Sequence, residues 1–143
     1  MRVHEWMSPD PVTVSPAATV REARDLLYRY GVRHIPVVRR DRLVGIVSDR
    51  DVRIEEPTDR ACPPDPSMDP SLPAAGRLVE QVMSSPPHTI GADEPVEAAA
   101  RLMLSRHISA LPVLDGGRLV GIVTTTDCLL ALLSPQSTIL ETR

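Results

Sequence analysis

Apolar positions in this chain follow a strand rhythm, then a helical one, then a strand rhythm again, and the whole series occurs twice. Val12-Thr13-Val14 alternates as a short strand. From Thr19 the spacing becomes helical: Val20, Ala23, Leu26, Leu27 and Tyr30 share one face. Thr19 and Glu22 have the spacing of a capping box at the start of that helix. Gly31 suits the residue just past its end. His34 to Val38 and Leu43 to Val47 are then two apolar runs of strand length. The four residues Arg39 to Arg42 between them predict a turn and an antiparallel hairpin. A second helix opens near Ser48, so the unit reads β-α-β-β-α.

The second copy lies 76 residues on. Leu43-Val44-Gly45-Ile46-Val47 recurs as Leu119-Val120-Gly121-Ile122-Val123, and the same offset carries Met7 to Met83 and Pro36 to Pro112. From Met7 through Asp51 the copies align over 45 positions without a gap, with 16 identities. His88-Thr89-Ile90 matches the first strand, Ala98, Ala99, Leu102 and Met103 carry the helix stripe, and the hairpin turn is Asp115-Gly116-Gly117-Arg118. Pro95 sits early in that helix, where a missing N–H costs nothing. A duplication of this kind predicts that any site exists twice or lies between the copies. Each copy alone is too small for a comfortable core, so the two are expected to pack together.

Composition narrows the classes. The chain has 143 residues and 42% hydrophobic content, suiting a globular protein of one domain or two small ones. Its longest apolar runs, such as Leu129 to Leu133, fall far short of a membrane span. Met1 to Glu5 lacks the apolar stretch of a signal peptide, so a cytoplasmic location is expected. Cys62 and Cys128 show no metal or redox spacing and are expected as free thiols. The net charge of −3 gives no general pull toward nucleic acid or anionic membrane. All 16 basic residues are Arg, and Lys, Phe and Asn are absent, a codon signature of a GC-rich genome. Between the copies, Glu55 to Gly76 holds six of the 15 prolines and predicts an extended tether. Trp6 is expected to pack the segment before Met7 onto the core, with a subunit interface as the alternative.

The candidate chemistry follows each Leu-Val-Gly-Ile-Val strand. Ser48-Asp49-Arg50-Asp51 opens a helix, whose first N–H groups and positive dipole end suit a phosphate. A hydroxyl at Ser48 can donate to the same phosphate, and a carboxylate at Asp51 can accept both hydroxyls of a ribose. Thr124-Thr125-Thr126-Asp127 offers the same set with two further hydroxyls. Ser/Thr-x-x-Asp before a helix is also an ordinary capping box that satisfies the helix's own amides. Both readings stay open, because a cap can open to a ligand.

Taken together, the motifs resemble those of a CBS-domain pair. They are Met-Ser near the start of each copy, Val-Thr-Val or His-Thr-Ile, a hydrophobic-Pro-Val-Val/Leu run, and Gly-hydrophobic-Val-Ser/Thr-x-x-Asp. Within that family Gly45 to Arg53 looks most like the stand-alone pairs of the acetoin-utilisation type, although proteins of that type often carry a C-terminal domain lacking here. The resemblance implies an α/β (α+β) fold of two tandem repeats packed through their sheets about a pseudo-twofold axis. It divides the chain into repeat 1 (1–54), a Pro-rich linker (55–77), repeat 2 (78–133) and a tail (134–143).

The resemblance further implies two clefts. One joins Ser48, Arg50 and Asp51 to Pro87, His88, Ile108, Ser109 and Ala110. The other joins Thr124, Thr126 and Asp127 to Pro11, Val12, Val32, Arg33 and His34. The small Ser109 and Ala110 lie beside the implied adenine position of the first cleft, whereas Arg33 and His34 fill it in the second. Arg33 could pair bidentately with a phosphate or stand as a solvated charge. The implied ligand is an adenine nucleotide or adenosyl compound (AMP, ADP, ATP, NAD or S-adenosylmethionine), with Mg²⁺ accompanying a triphosphate in some members. No residue points to a protein metal site, and the four scattered histidines lack ligand spacing. The expected function is regulatory ligand sensing by a homodimer, with an unidentified protein partner. The alternative is a ligand-free interaction module whose motifs only cap helices. Nucleic-acid binding ranks below both, with two Tyr and no Phe for base stacking. An enzyme is not expected, since no catalytic set or Gly-rich phosphate loop stands out.

Overall fold

The computed structural model describes residues 1–53 and 77–134, with the side chain of Arg53 excluded. The Pro-rich stretch from Glu55 to Gly76, Cys62 and the tail beyond Ser134 lie outside the described residues. In chain order the elements are α1 (Val3–Trp6), β1 (Ser8–Pro9), α2 (Val20–Tyr30), β2 (His34–Arg39), β3 (Arg42–Ser48), α3 (Asp49–Arg53), α4 (Val79–Val82), β4 (Ile90–Gly91), α5 (Val96–Arg106), β5 (Ala110–Asp115), β6 (Arg118–Thr124) and α6 (Thr125–Leu132). The fold is mixed α/β, as the alternating rhythms predict. Among the described residues, no helix is long and apolar enough to cross a membrane.

The chain forms two compact units whose limits cut across the sequence repeats. One comprises Met1–Pro11 with His88–Arg143, and the other Val12–Pro87. The leading segment of each repeat therefore belongs to the unit built on the other repeat. In the second-repeat unit the strands run β1-β6-β5-β4, with β1 antiparallel to β6 and β4 parallel to β5. The first-repeat unit matches it position for position. Its hairpin β2-β3 is flanked by a parallel bridge, Val14 to Val37, and an antiparallel one, Ile46 to Ser84. At the offset of 76 these are the counterparts of Ile90 to Val113 and Ser8 to Ile122. The predicted strand Val12–Val14 thus contracts to a single bridge at Val14.

A close backbone approach fixes where each leading segment lies. Gly45 and Gly121 are buried, and an added Cβ at Gly45 would sit 2.6 Å from Met83 Sδ and 2.9 Å from the Ser84 carbonyl. At Gly121 it would collide with Met7 Sδ and come within 2.9 Å of the Ser8 carbonyl. The recurring Met-Ser and the recurring Gly are thus two halves of one contact, and only a residue without a side chain allows it.

The predicted helix limits hold. The Thr19 hydroxyl accepts from the Glu22 N–H at 3.1 Å, and Gly31 ends α2 in the left-handed region at φ 63°. Val20, Ala23 and Leu27 are buried, while Tyr30, expected on the same stripe, is exposed at the final turn. Pro95 is the N-cap of α5 rather than a residue inside its first turn, and Ala99 and Met103 are buried. Both hairpins close through two residues at positive φ, Arg40–Asp41 and Gly116–Gly117, so the turns are shorter than the four-residue connections expected.

Each unit has its own core. Ile35, Val37, Val47 and Val20 centre the first-repeat unit, while Leu111, Val113, Val123 and Val3 centre the second-repeat unit. Trp6 ends α1 half-buried, with its indole Nε1 buried and unpartnered among the described residues. Leaving that donor unpaired costs about 1–3 kcal/mol.

Candidate functional site

The hairpin register builds the same corner in each unit. Strand β3 ends at Ser48, which faces His34 at the start of β2, and α3 begins at the next residue. The Asp49 N–H donates to the Arg33 carbonyl at 2.9 Å, locking the helix start to the residue before β2. In the second-repeat unit Thr124 faces Ala110, and the Thr125 N–H donates to the Ser109 carbonyl at 3.0 Å. The Thr125 hydroxyl lies 3.4 Å from that carbonyl. It is one of the two hydroxyls that the run of three threonines adds to Thr124.

Both Ser/Thr-x-x-Asp motifs form reciprocal caps. The Ser48 N–H donates to Asp51 Oδ2 at 2.8 Å, and the Asp51 N–H returns to Ser48 Oγ at 3.2 Å. The Thr124 N–H donates to Asp127 Oδ2 at 2.9 Å, and the Asp127 N–H returns to Thr124 Oγ1 at 3.3 Å. The Thr124 hydroxyl also lies 3.1 Å from Asp127 Oδ2. Each carboxylate is engaged through Oδ2, leaving Oδ1 without a hydrogen bond among the described residues. All four side chains are half-buried. A cap held by one oxygen of a half-buried carboxylate keeps a second acceptor within reach of a hydroxyl group.

The sixteen expected site residues divide between the units. Ser48, Arg50, Asp51, Val12, Val32, Arg33, His34 and Pro87 belong to the first-repeat unit, and Pro11, His88, Ile108, Ser109, Ala110, Thr124, Thr126 and Asp127 to the second-repeat unit. Within each unit, the residues before the Pro-containing strand lie beside the Ser/Thr-x-x-Asp of the same repeat. The corners share a backbone frame but differ in charge. Arg33 and His34 lead into the strand that faces Ser48, and Arg50 lies between Ser48 and Asp51, whereas Ser109, Ala110 and Thr126 hold the matching positions by Thr124 and Asp127. No cluster of three or more His, Cys, Asp or Glu suited to a metal ion occurs among the described residues.

Burial pushes the half-buried His34 imidazole below its ordinary pKa of 6.5; the Asp49 and Asp51 charges oppose the shift and Arg33 adds to it. The folded chain therefore holds His34 neutral at pH values where the unfolded chain is protonated. The unfolded state binds the extra proton, so stability falls as pH drops from above 6.5 through the lowered value. We expect urea-unfolding midpoints to decline between pH 7.5 and 5.5, and His34→Gln to flatten that decline. An equal slope in both proteins would refute the assignment. Burial first, and the Asp127 charge second, push the Cys128 thiol up, which keeps it protonated near neutrality.

The second-repeat unit also holds a cavity of about 600 Å³ between α5 and α6. Its walls include Met1, Val96, Met103, Leu104, Cys128 and Leu132. Of the expected site residues it touches only Ile108, and it borders the Thr124–Asp127 corner at Thr125 and Cys128.

Comparison with known proteins gives this arrangement a context. The family profile of the CBS domain matches residues 3–56 and 79–134. A CBS domain-containing protein of Dictyostelium discoideum is 36% identical over 129 residues, covering 89% of this chain and 88% of that protein. An inosine-5'-monophosphate dehydrogenase of Korarchaeum cryptofilum is 33% identical over 127 residues, 88% of this chain. The chain spans only about a quarter of the length of such dehydrogenases, 23% in that case. Among solved structures, the CBS domain pair of protein MJ0100 in complex with 5'-methylthioadenosine and S-adenosyl-L-methionine is 27% identical. Its TM-score is 0.76, and the match covers 92% of this chain and 95% of that one. CBSX2, a CBS-pair protein of Arabidopsis thaliana solved in complex with AMP, is 26% identical with a TM-score of 0.72, covering 99% and 98%. The AcuB protein of Vibrio cholerae, 24% identical with a TM-score of 0.75 over 100% of this chain and 98% of that one, shares the fold.

Proposed function

Because the chain belongs to the CBS-domain family, we propose that it is a regulatory module that senses an adenine nucleotide or adenosyl ligand through its two Ser/Thr-x-x-Asp corners. The observation that carries this reading is the corner itself, built twice, with a capping carboxylate that retains a second acceptor oxygen. Similar CBS pairs are solved with AMP or with S-adenosyl-L-methionine and 5'-methylthioadenosine. In this reading Asp51 and Asp127 accept ribose hydroxyls, and Ser48 and Thr124 donate to a phosphate or its replacement. The residues that the resemblance adds then serve as ligand contacts, with His34 and His88 as packing or hydrogen-bonding groups and Arg33 as a cation that pairs with a phosphate. The ligand's preference for one packing of the repeats over another would transmit the signal to a protein partner. Mg²⁺ would arrive with a triphosphate. The module acts as a cytoplasmic homodimer without catalysis of its own.

A second reading is favoured by the completeness of both reciprocal caps, which need no ligand to be satisfied. There the motifs only start helices, and function lies in protein association.

A thermal-shift screen of AMP, ADP, ATP, NAD and S-adenosylmethionine separates the two. Sensing predicts a saturable rise in Tm for at least one of them; at a concentration 100 times Kd the rise corresponds to about 2.7 kcal/mol. A flat response to all five at millimolar concentration would reject it.

A further inference from the structure

One cross-strand pair sets the two corners apart. His34 opens β2 directly opposite Ser48 at the end of β3. Opposed residues of an antiparallel pair place their side chains on the same face, with Cβ atoms about 4.5–5.5 Å apart. Both side chains are half-buried. The pair lies in the regular part of the hairpin, because the register shifts only farther along, between Val37 and Val38. The bond from the Asp49 N–H to the Arg33 carbonyl holds the start of α3 against the same end of the hairpin. In the second repeat the same register sets Ala110 opposite Thr124, where a methyl group neither titrates nor hydrogen-bonds.

The Ser48 oxygen accepts from the Asp51 N–H, which leaves its O–H as a donor to a phosphate. A phosphate held there lies beside the imidazole. The charged groups that act on His34 are Asp49 and Asp51 on α3 and Arg33 just before β2. Burial outweighs the two carboxylates, so the imidazole of the free chain is neutral near pH 7. A phosphate monoester brings about two negative charges at that pH. In a half-buried place such a charge favours the imidazolium more strongly than it does in open water.

We propose that the Ser48–Asp51 corner binds phosphate-bearing adenosine ligands together with a proton taken up by His34, a coupling that the Thr124–Asp127 corner lacks because Ala110 stands in that place. The inference rests on the sensing function proposed above and makes one of its two corners responsive to pH. The complex holds the proton more tightly than the free chain, so affinity rises as pH falls. One proton allows at most about tenfold per pH unit. A ligand with adenine and ribose but no phosphate gains nothing.

Calorimetric titration of the full chain carrying Asp127→Ala, which leaves the first corner intact, tests this. The Kd for AMP should fall about tenfold from pH 8.5 to 6.5, a range in which the AMP phosphate stays mostly dianionic. The heat should vary with the ionisation enthalpy of the buffer, as proton uptake requires. Adding His34→Gln should remove the slope. Adding His34→Arg, charged throughout, should remove it too, but with affinity at pH 8.5 close to that of the histidine chain at pH 6.5. Any affinity for 5'-methylthioadenosine should not follow pH. An AMP affinity independent of pH, or an equal slope in His34→Gln, would overturn the inference. AMP binding that is present in the wild type and lost in Asp127→Ala would overturn it while leaving the sensing function in place. Absence of binding by all five screened ligands would overturn both.

Discussion

Gly121→Ala and Gly45→Ala should each lower stability by about 2 kcal/mol, the middle of the range for overpacking a tight site. In a chain of this size that is a fall of roughly 4–8 °C in Tm. The new methyl at position 121 would meet Met7 Sδ, which can swing aside, and the Ser8 carbonyl at 2.9 Å, which cannot. Ser8 is held in register with Ile122. At position 45 the fixed obstacle is the Ser84 carbonyl, also at 2.9 Å. That carbonyl accepts from the Ile46 N–H at 3.1 Å, while the Ser84 N–H donates to Ile46 at 2.9 Å. Relief requires the leading segment to lift off its strand and lose those bonds. Gly91→Ala is the control, because its methyl meets only the flexible Glu94 Cγ, at 3.3 Å. Differential scanning calorimetry should show two large shifts and one small one. Three equal shifts would mean that the close approach does not set the packing.

Asp51 and Asp127 carry the second large effect, and two substitutions at each separate their two roles. Asp→Ala removes the returning half of the cap, the bond from the Ser48 or Thr124 N–H, which costs about 1 kcal/mol of stability, and removes the acceptor proposed for a ribose hydroxyl. A hydrogen bond to a charged group contributes about 1.5–3 kcal/mol, so ligand affinity should fall roughly 10- to 150-fold. Asp→Asn keeps a carbonyl oxygen that can accept from the Ser48 or Thr124 N–H. It should leave the ligand-free Tm nearly unchanged while still weakening ligand binding. Capping alone predicts the same ligand-free Tm values and no ligand response to lose.

Much of each unit was legible because its determinants are local. The Thr19 cap, the Gly31 terminator and the two apolar runs around Arg39–Arg42 each act within a few residues, and each is found where the pattern puts it. The repeated Ser/Thr-x-x-Asp was legible as both a cap and a ligand corner, and its hydrogen bonds form the cap. The placement of the leading segments was not legible. Nothing near Met7 in sequence says that it packs on Gly121, and the partner of each glycine comes from the leading segment of the other repeat. Tyr30 has the helical spacing of a buried residue but lies on the final turn, where the packed face has ended. The run Leu129 to Leu133 is apolar throughout, yet four of its leucines are exposed. Burial depends on what lies opposite, and sequence spacing does not report that.

The most direct test of the sensing function is calorimetric titration of AMP, and separately of S-adenosylmethionine, into the wild type and into Asp51→Ala/Asp127→Ala. Saturable binding of at least one ligand to the wild type, weakened tenfold or more in the double variant, is the predicted result. Equal affinity in the two proteins, or no saturable heat with the wild type at millimolar concentration from these two or from ADP, ATP and NAD titrated alongside, would contradict it.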